Sequence, residues 1–134
     1  MSGLVLKLSP KERVLINGAV IENGDRRTRI SIVSANASIL RLRDALHPDE
    51  VNTPVRRVCY IAQLVLSGDV APSDACQQLL RGIEQLSQVF TDSDSRKQLS
   101  IATEAVASDE HYQALKALRR LLAREERLFA ARPS

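Results

Sequence analysis

The sequence predicts an α+β fold, with an N-terminal antiparallel β-meander head of about five short strands followed by a C-terminal bundle of about four helices. Two observations carry this. Before His47-Pro48 the apolar residues alternate in short runs broken by Asn-Gly pairs, and after it they recur at the three-and-four spacing of amphipathic helices. At 134 residues the chain is expected to form a single compact unit over 1–134, made of a β-rich head at 1–46 and a helical region at 47–134.

In the head, Leu4 to Leu8 is a branched-chain-rich run closed by Ser9-Pro10, which reads as a strand ending in a turn. Glu12 to Ile16 and Ala19 to Glu22 flank Asn17-Gly18, and such a pair favours a type I′ hairpin because both central residues must tolerate positive φ. Asn23-Gly24-Asp25 gives a second turn signal of the same kind. The next strand alternates strictly, with Thr28, Ile30 and Ile32 on one face and Arg27, Arg29 and Ser31 on the other. A last run, Ser38 to Leu42, reads as a further strand.

Thr53-Pro54 opens the first helix, with Thr as cap and Pro in the first turn, and Gly68 stops it. A second helix is expected from about Ser73 to Phe90, where Gly82 costs roughly 1 kcal/mol relative to Ala and therefore suggests close packing. A shorter helix follows from about Asp94 to Val106. Ser108-Asp109-Glu110 is then expected to cap one long final helix reaching about Ala131, with Leu115, Leu118, Leu122 and Phe129 on its inner face.

Composition narrows the function classes. With 44% hydrophobic and 26% charged residues the chain is far from the signature of disorder. No run approaches the roughly 18 apolar residues of a membrane span, and the first residues lack the pattern of a signal peptide, so a cytoplasmic protein without membrane partners is expected. Cys59 and Cys76 lie within expected helices and outside any metal-binding spacing, which suggests buried thiols. A net charge of +3 and pI of about 9.2 are compatible with nucleic acid without demanding it.

Catalytic signatures are missing: the sequence has no GxSxG elbow, HExxH helix, P-loop or dinucleotide GxGxxG. His47 sits beside a proline and His111 in the first turn of a helix, and a solvated or capping role is expected for both. No catalytic residue, metal ligand or cofactor is therefore assigned, and an enzyme is not expected.

Two basic constellations remain. Arg26, Arg27, Arg29, Arg41 and Arg43 cluster in the head, where guanidinium groups can fork onto phosphates or stack on bases; these are the candidate RNA-binding residues. Lys116, Arg120, Arg124 and Arg127 form a secondary stripe along the last helix, where like charges at such spacing repel. For both, an anionic partner and a plain solvated face stand as alternatives. Glu125 falls within the apolar stripe of that helix, where an unpaired buried carboxylate would be costly. Either the helix end projects from the core or Glu125 marks a partner interface.

The run LVLKLSPKERVLINGAVIENGDRRTRISI, followed by ILR and then by NTPVRR entering a helix, resembles the bacterial flagellin regulator FlbT family, the flagellar biosynthesis repressors. The match is strongest over Leu4 to Leu66. The resemblance implies a post-transcriptional regulator that binds the 5′ untranslated leader of flagellin messenger RNA and typically lowers translation or hastens decay, although some members act positively. It also implies a working relationship with FlaF, a second flagellin-specific regulator, and with flagellin itself. It brings no catalytic residues or cofactors, and no residue-level binding motif. The head is also similar, by fold-level analogy, to the carbon storage regulator. A second hypothesis is a protein-interaction module that binds FlaF, flagellin or a second copy of the chain through its helices.

Overall fold

The computed structural model describes residues 4–131 apart from 18, 35, 36, 38 and 42–44. The chain divides into two compact units, Met1–Ala45 and Leu46–Ser134, each with its own interior.

The first unit holds the five short strands: β1 (Leu4–Leu8), β2 (Arg13–Ile16), β3 (Ala19–Glu22), β4 (Thr28–Ile32) and β5 (Ile39–Arg41). All their pairings are antiparallel. The β2–β3 hairpin closes at Ile16↔Ala19, and Asn17 supplies a φ of 50°, the first of the positive values a type I′ turn needs. The other pairings run out of chain order, for β1 pairs with β4 while β5 joins the far side of β2, giving the arrangements β1-β4 and β3-β2-β5. Leu6 and Leu8 of β1, Val14 of β2 and Ile39 of β5 form a buried cluster, with Ile16, Ile30, Ile32 and Ala37 packed against it. The alternation of β4 is borne out: Ile30 and Ile32 turn toward this cluster, and Arg29 and Ser31 are exposed.

Asn23 behaves differently from the hairpin residue its sequence suggests, since β3 and β4 are not ladder neighbours. Its side chain is buried, and its Nδ2 donates to the carbonyls of Ser9 at 2.7 Å and Arg26 at 2.9 Å, with Leu8 at 3.4 Å. Its Oδ1 accepts from Thr28 Oγ1 at 2.7 Å, and its backbone N–H donates to the Glu12 carbonyl at 2.8 Å. One carboxamide thus ties the end of β1 and the start of β4 to the β2–β3 hairpin.

In the second unit a short 3-10 turn, Pro48–Glu50, precedes four helical segments, the last in two pieces: α1 (Pro54–Leu66), α2 (Pro72–Val89), α3 (Ser93–Ala107), and then α4 (His111–Arg119) with α5 (Leu122–Ala130). Thr53 caps α1, its hydroxyl accepting from Arg56 N at 3.3 Å. Gly68, at φ 84°, ends it in a left-handed cap, where Asp69 N reaches back to the Leu64 carbonyl at 2.9 Å. Asp92 caps α3 through Ser95 N at 3.0 Å; the hydrogen bonds from Ser95 hold this exposed carboxyl below the usual carboxylate range.

Ser108-Asp109-Glu110 terminates α3 rather than capping the next helix. Asp109 adopts φ 56°, Glu110 N donates to the Ala105 carbonyl at 2.8 Å and Asp109 N to that of Val106 at 3.2 Å, the same kind of stop with aspartate in place of glycine. The final segment is also not one continuous helix. Arg120 N and Leu121 N bond three residues back, to Ala117 and Leu118, and this tighter turn stacks Leu118 and Leu121, both fully buried, on one face. Beyond it the expected stripe fails, with Leu122 half-buried and Phe129 exposed.

Gly82 confirms the close packing inferred from its cost: a Cβ there would lie 2.6 Å from Cγ2 of Val58, so α2 meets α1 with no room for a methyl group. Gly82→Ala is therefore expected to lower stability by about 1–2 kcal/mol despite its better helix propensity. Combining it with Val58→Ala should cost clearly less than the sum of the two single changes in a denaturant double-mutant cycle. In the β unit, both Asn23→Ala and the same-shaped Asn23→Asp should cost about 2 kcal/mol, because each leaves the Ser9 and Arg26 carbonyls without their donor. An unshifted unfolding midpoint for Asn23→Asp would remove the amide from its role as a tie.

Candidate nucleic-acid interface

Antiparallel pairing of β1 with β4 decides what the outer face of this ribbon presents. The register sets Leu6 opposite Ile30 on the inner face, and therefore Lys7 directly opposite Arg29 on the outer one, next to the Val5–Ser31 pair. Arg27 stands one residue before β4, and with Lys7, Leu8, Ser9, Thr28 and Arg29 it lines a surface depression of about 430 Å³. Arg26, Arg27 and Arg29 are all exposed. Among the described residues no carboxylate lies within ion-pair distance of Lys7, Arg26, Arg27 or Arg29. The loop that carries Arg26 and Arg27 is fixed from beneath by Asn23, which holds the Arg26 carbonyl while leaving its side chain in solvent.

The five head arginines therefore do not act alike. Arg41 is largely covered, its Nη2 donating to the Lys7 carbonyl at 2.8 Å and its Nη1 standing 3.4 Å from Glu12 Oε2. Glu12 in turn accepts from Ser9 N at 2.9 Å. The guanidinium of Arg41 thus braces β1 against β5 and the β1–β2 turn, and its fork is committed within the unit. Arg43 lies outside the described residues. Sequence reasoning missed Lys7, because LVLKL offers it only as one polar position in an apolar strand; its place beside Arg29 follows from an out-of-order strand pairing that periodicity does not encode.

The secondary stripe on the helical unit is interrupted. Lys116, Arg120 and Arg127 are exposed, but Arg124 is mostly covered, donating to Ser95 Oγ at 2.8 Å and pairing with Asp94 at the start of α3. Glu125 corrects its reading in the same way. It is buried inside its own unit, where one carboxylate oxygen accepts from Val55 N at 2.9 Å and the other from the Thr53 hydroxyl. Placed at the start of α1, it satisfies otherwise orphaned donors and meets the positive end of the helix dipole. The cost of a buried carboxylate is offset by partners about 70 residues away in the chain.

His47 is exposed and forms a capping box with Glu50 on the 3-10 turn, as a capping role implies. His111 is instead buried at the start of α4, with neither ring nitrogen hydrogen-bonded and Nε2 3.7 Å from Asp109. Both cysteines are free; burial pushes the Cys59 thiol up to about 12, the nearby Arg119 opposing this and Glu125 adding to it, so it is protonated at neutral pH. Among the described residues no group of three or more His, Cys, Asp or Glu could hold a metal ion, and no helix is long and apolar enough to cross a membrane.

Fold and surface together define a two-unit α+β protein whose β unit displays a cluster of unpaired cations. The sequence profile of the family described as Flagellar protein FlbT matches residues 4–129, and the chain belongs to that family. The resemblance noted over the first half thus extends through the helical unit. The chain is 28% identical over 123 residues to the flagellum biosynthesis repressor protein FlbT of Caulobacter vibrioides, covering 92% of this chain and 86% of the relative. It is 34% identical over 128 residues to the probable flagellum biosynthesis repressor protein FlbT of Rhodopseudomonas palustris, covering 95% of this chain and 98% of the relative. A similar relative in Caulobacter sp. strain K31, with the same description, is 29% identical over 93% of its length. No solved structure matches the chain significantly.

If Glu125 serves as the remote cap of α1, Glu125→Ala should destabilise the helical unit by about 2–3 kcal/mol. Thr53→Ala should then cost less in the Glu125→Ala background than alone, since its link to Glu125 is already gone and only its bond from Arg56 N is left to lose. Additive losses in urea unfolding would show that the two residues act separately.

Proposed function

We propose that this protein represses flagellum synthesis after transcription, by binding the 5′ untranslated leader of flagellin messenger RNA and lowering its translation or hastening its decay. The observation that carries the reading is the exposed, unpaired set Arg26, Arg27 and Arg29 on the β unit of a chain whose relatives are named as flagellum biosynthesis repressors. Guanidinium groups held free of carboxylates are available to phosphates, and their number rather than the modest net charge of +3 sets the local field. Tyr60, Phe90, Tyr112 and Phe129 all follow the β unit, so stacking on aromatic rings has no part in contacts made there. A messenger RNA ligand would place the site of action in the cytoplasm.

An interaction role for the helical unit is a second reading, with FlaF, flagellin or another copy of the chain as partner. It is favoured by one observation, that Val89 and Leu128 stand exposed on the walls of a depression of about 440 Å³ that Arg127 also lines. Glu125, being engaged within its unit, lends it no support.

The RNA reading predicts that purified chain shifts a flagellin leader in a gel at physiological salt, with affinity falling steeply as salt rises. Arg27→Ala with Arg29→Ala should weaken binding by about tenfold or more and leave the thermal transition almost unmoved. A leader bound only when FlaF or flagellin is added would favour the second reading.

A further inference from the structure

In a two-stranded ribbon, residues directly opposite have Cβ atoms about 5 Å apart, and like charges there destabilise the pair. Lys7 and Arg29 occupy that relation on the exposed face of β1–β4, and among the described residues neither has an anionic neighbour to relieve it. Arg27 adds a third cation lining the same depression, where the hydroxyl-bearing Ser9 and Thr28 also stand. The arrangement is braced from within. Arg41 grips the Lys7 carbonyl, so β1 is held at the residue whose side chain is repelled, and Asn23 grips the carbonyl of Arg26 beside Arg27. The fold thus spends hydrogen bonds on fixing the backbone under three cations, with no carboxylate among the described residues in ion-pair distance of them. A face selected only for solubility would alternate signs across the strands, as Arg13 and Glu22 do on the neighbouring hairpin, where they sit opposite each other and pair at 2.9 Å.

We infer that Lys7, Arg27 and Arg29 form a preorganised phosphate-binding site for the backbone of an extended RNA strand, with Lys7 as the member that the β1–β4 pairing brings to it. This rests on the RNA-binding reading and deepens it. Two arginines offer planar forks that donate to phosphate oxygens side by side, and Lys7 adds a mobile point charge across the ribbon from Arg29. Such a site registers charge and strand path and is blind to base identity, so discrimination of the leader comes from other parts of the surface. Arg41 belongs to it as a positioning residue, since it acts through the backbone of Lys7.

The cost of holding the cations together gives the site a signature that a structural residue would not show. In the full chain, Lys7→Glu turns the cross-strand repulsion into an attraction and should raise the thermal midpoint by about 2 °C. The same change should weaken binding to the flagellin leader by about tenfold or more. Lys7→Gln, which only removes one cation, should lower the salt dependence of binding by about 0.7 in the log–log slope without destabilising the chain. Because the contact is to phosphates, the fractional loss should be the same on an unrelated single-stranded RNA of equal length.

Wild-type chain that binds the leader while Lys7→Glu and Lys7→Gln bind as tightly overturns the site and leaves the RNA reading intact. Loss of binding together with a lowered midpoint in both variants assigns the effect to folding and overturns it as well. A loss confined to the leader, absent on the unrelated strand, replaces phosphate contact with base recognition. Failure of the wild-type chain to bind any RNA at low salt overturns the underlying reading, and this inference with it.

Discussion

The carboxamide of Asn23 is the constraint on which the β unit depends. Among the described residues the β1–β4 ribbon and the β3-β2-β5 sheet share no hydrogen-bonded ladder, so no run of backbone bonds there fixes one against the other. Apolar contact among Leu6, Leu8, Val14 and Ile39 brings them together, but such contact is non-directional and tolerates sliding. Asn23 adds direction: a single planar group reaches the end of β1, the loop before β4 and the first residue of β4 at once. The register of the ribbon, and with it the face on which its cations stand, is set where that group sits.

The helical unit uses the same device at a larger sequence distance. Glu125 and Arg124, neighbours on α5, reach to the beginnings of α1 and α3 respectively, each supplying a side chain where a helix start leaves donors or an acidic cap exposed. Their short helix is secured by these polar contacts more than by its apolar residues, of which Leu128 and Phe129 remain exposed. Charged side chains that look like surface chemistry in the sequence are, in both units, fasteners: Arg41 in one, Arg124 and Glu125 in the other.

This explains which parts of the architecture were legible in advance. Strand and helix positions followed from local periodicity and turn residues, and β1, β3 and α1 fall almost where alternation, Asn17 and Thr53-Pro54 place them. The partners of β1 and β5 and the fate of Arg41, Arg124 and Glu125 depend on residues 20 to 72 positions away, and no local window contains them. The candidate surface was half legible for the same reason. Arg27 and Arg29 announce themselves by alternation along one strand, whereas Lys7 joins them, and Arg41 leaves them, only once β1 lies beside β4 and Arg41 reaches across to Glu12. Asp109 shows a different limit: aspartate favours helix starts and also tolerates the left-handed conformation, and here the second property prevails.

Out-of-order pairing in the β unit also bears on how the chain reaches its structure. Even at their nearest pairs, Leu8 with Thr28 and Ile16 with Ile39, the two ladders close loops of 19 and 22 residues before any of their bonds form. In the helical unit consecutive helices pack on one another, with α1 also against α4, and single helices form in microseconds once nucleated. On a ribosome the order of synthesis is the reverse, for the slow unit emerges first and waits with β1 unpaired until residue 32 has left the exit tunnel. Val20 and Ile21, exposed even in the finished fold, lie on β3, an edge strand among the described residues, so β3 joins the waiting β1 as a segment where a nascent chain is open to pairing with a neighbour.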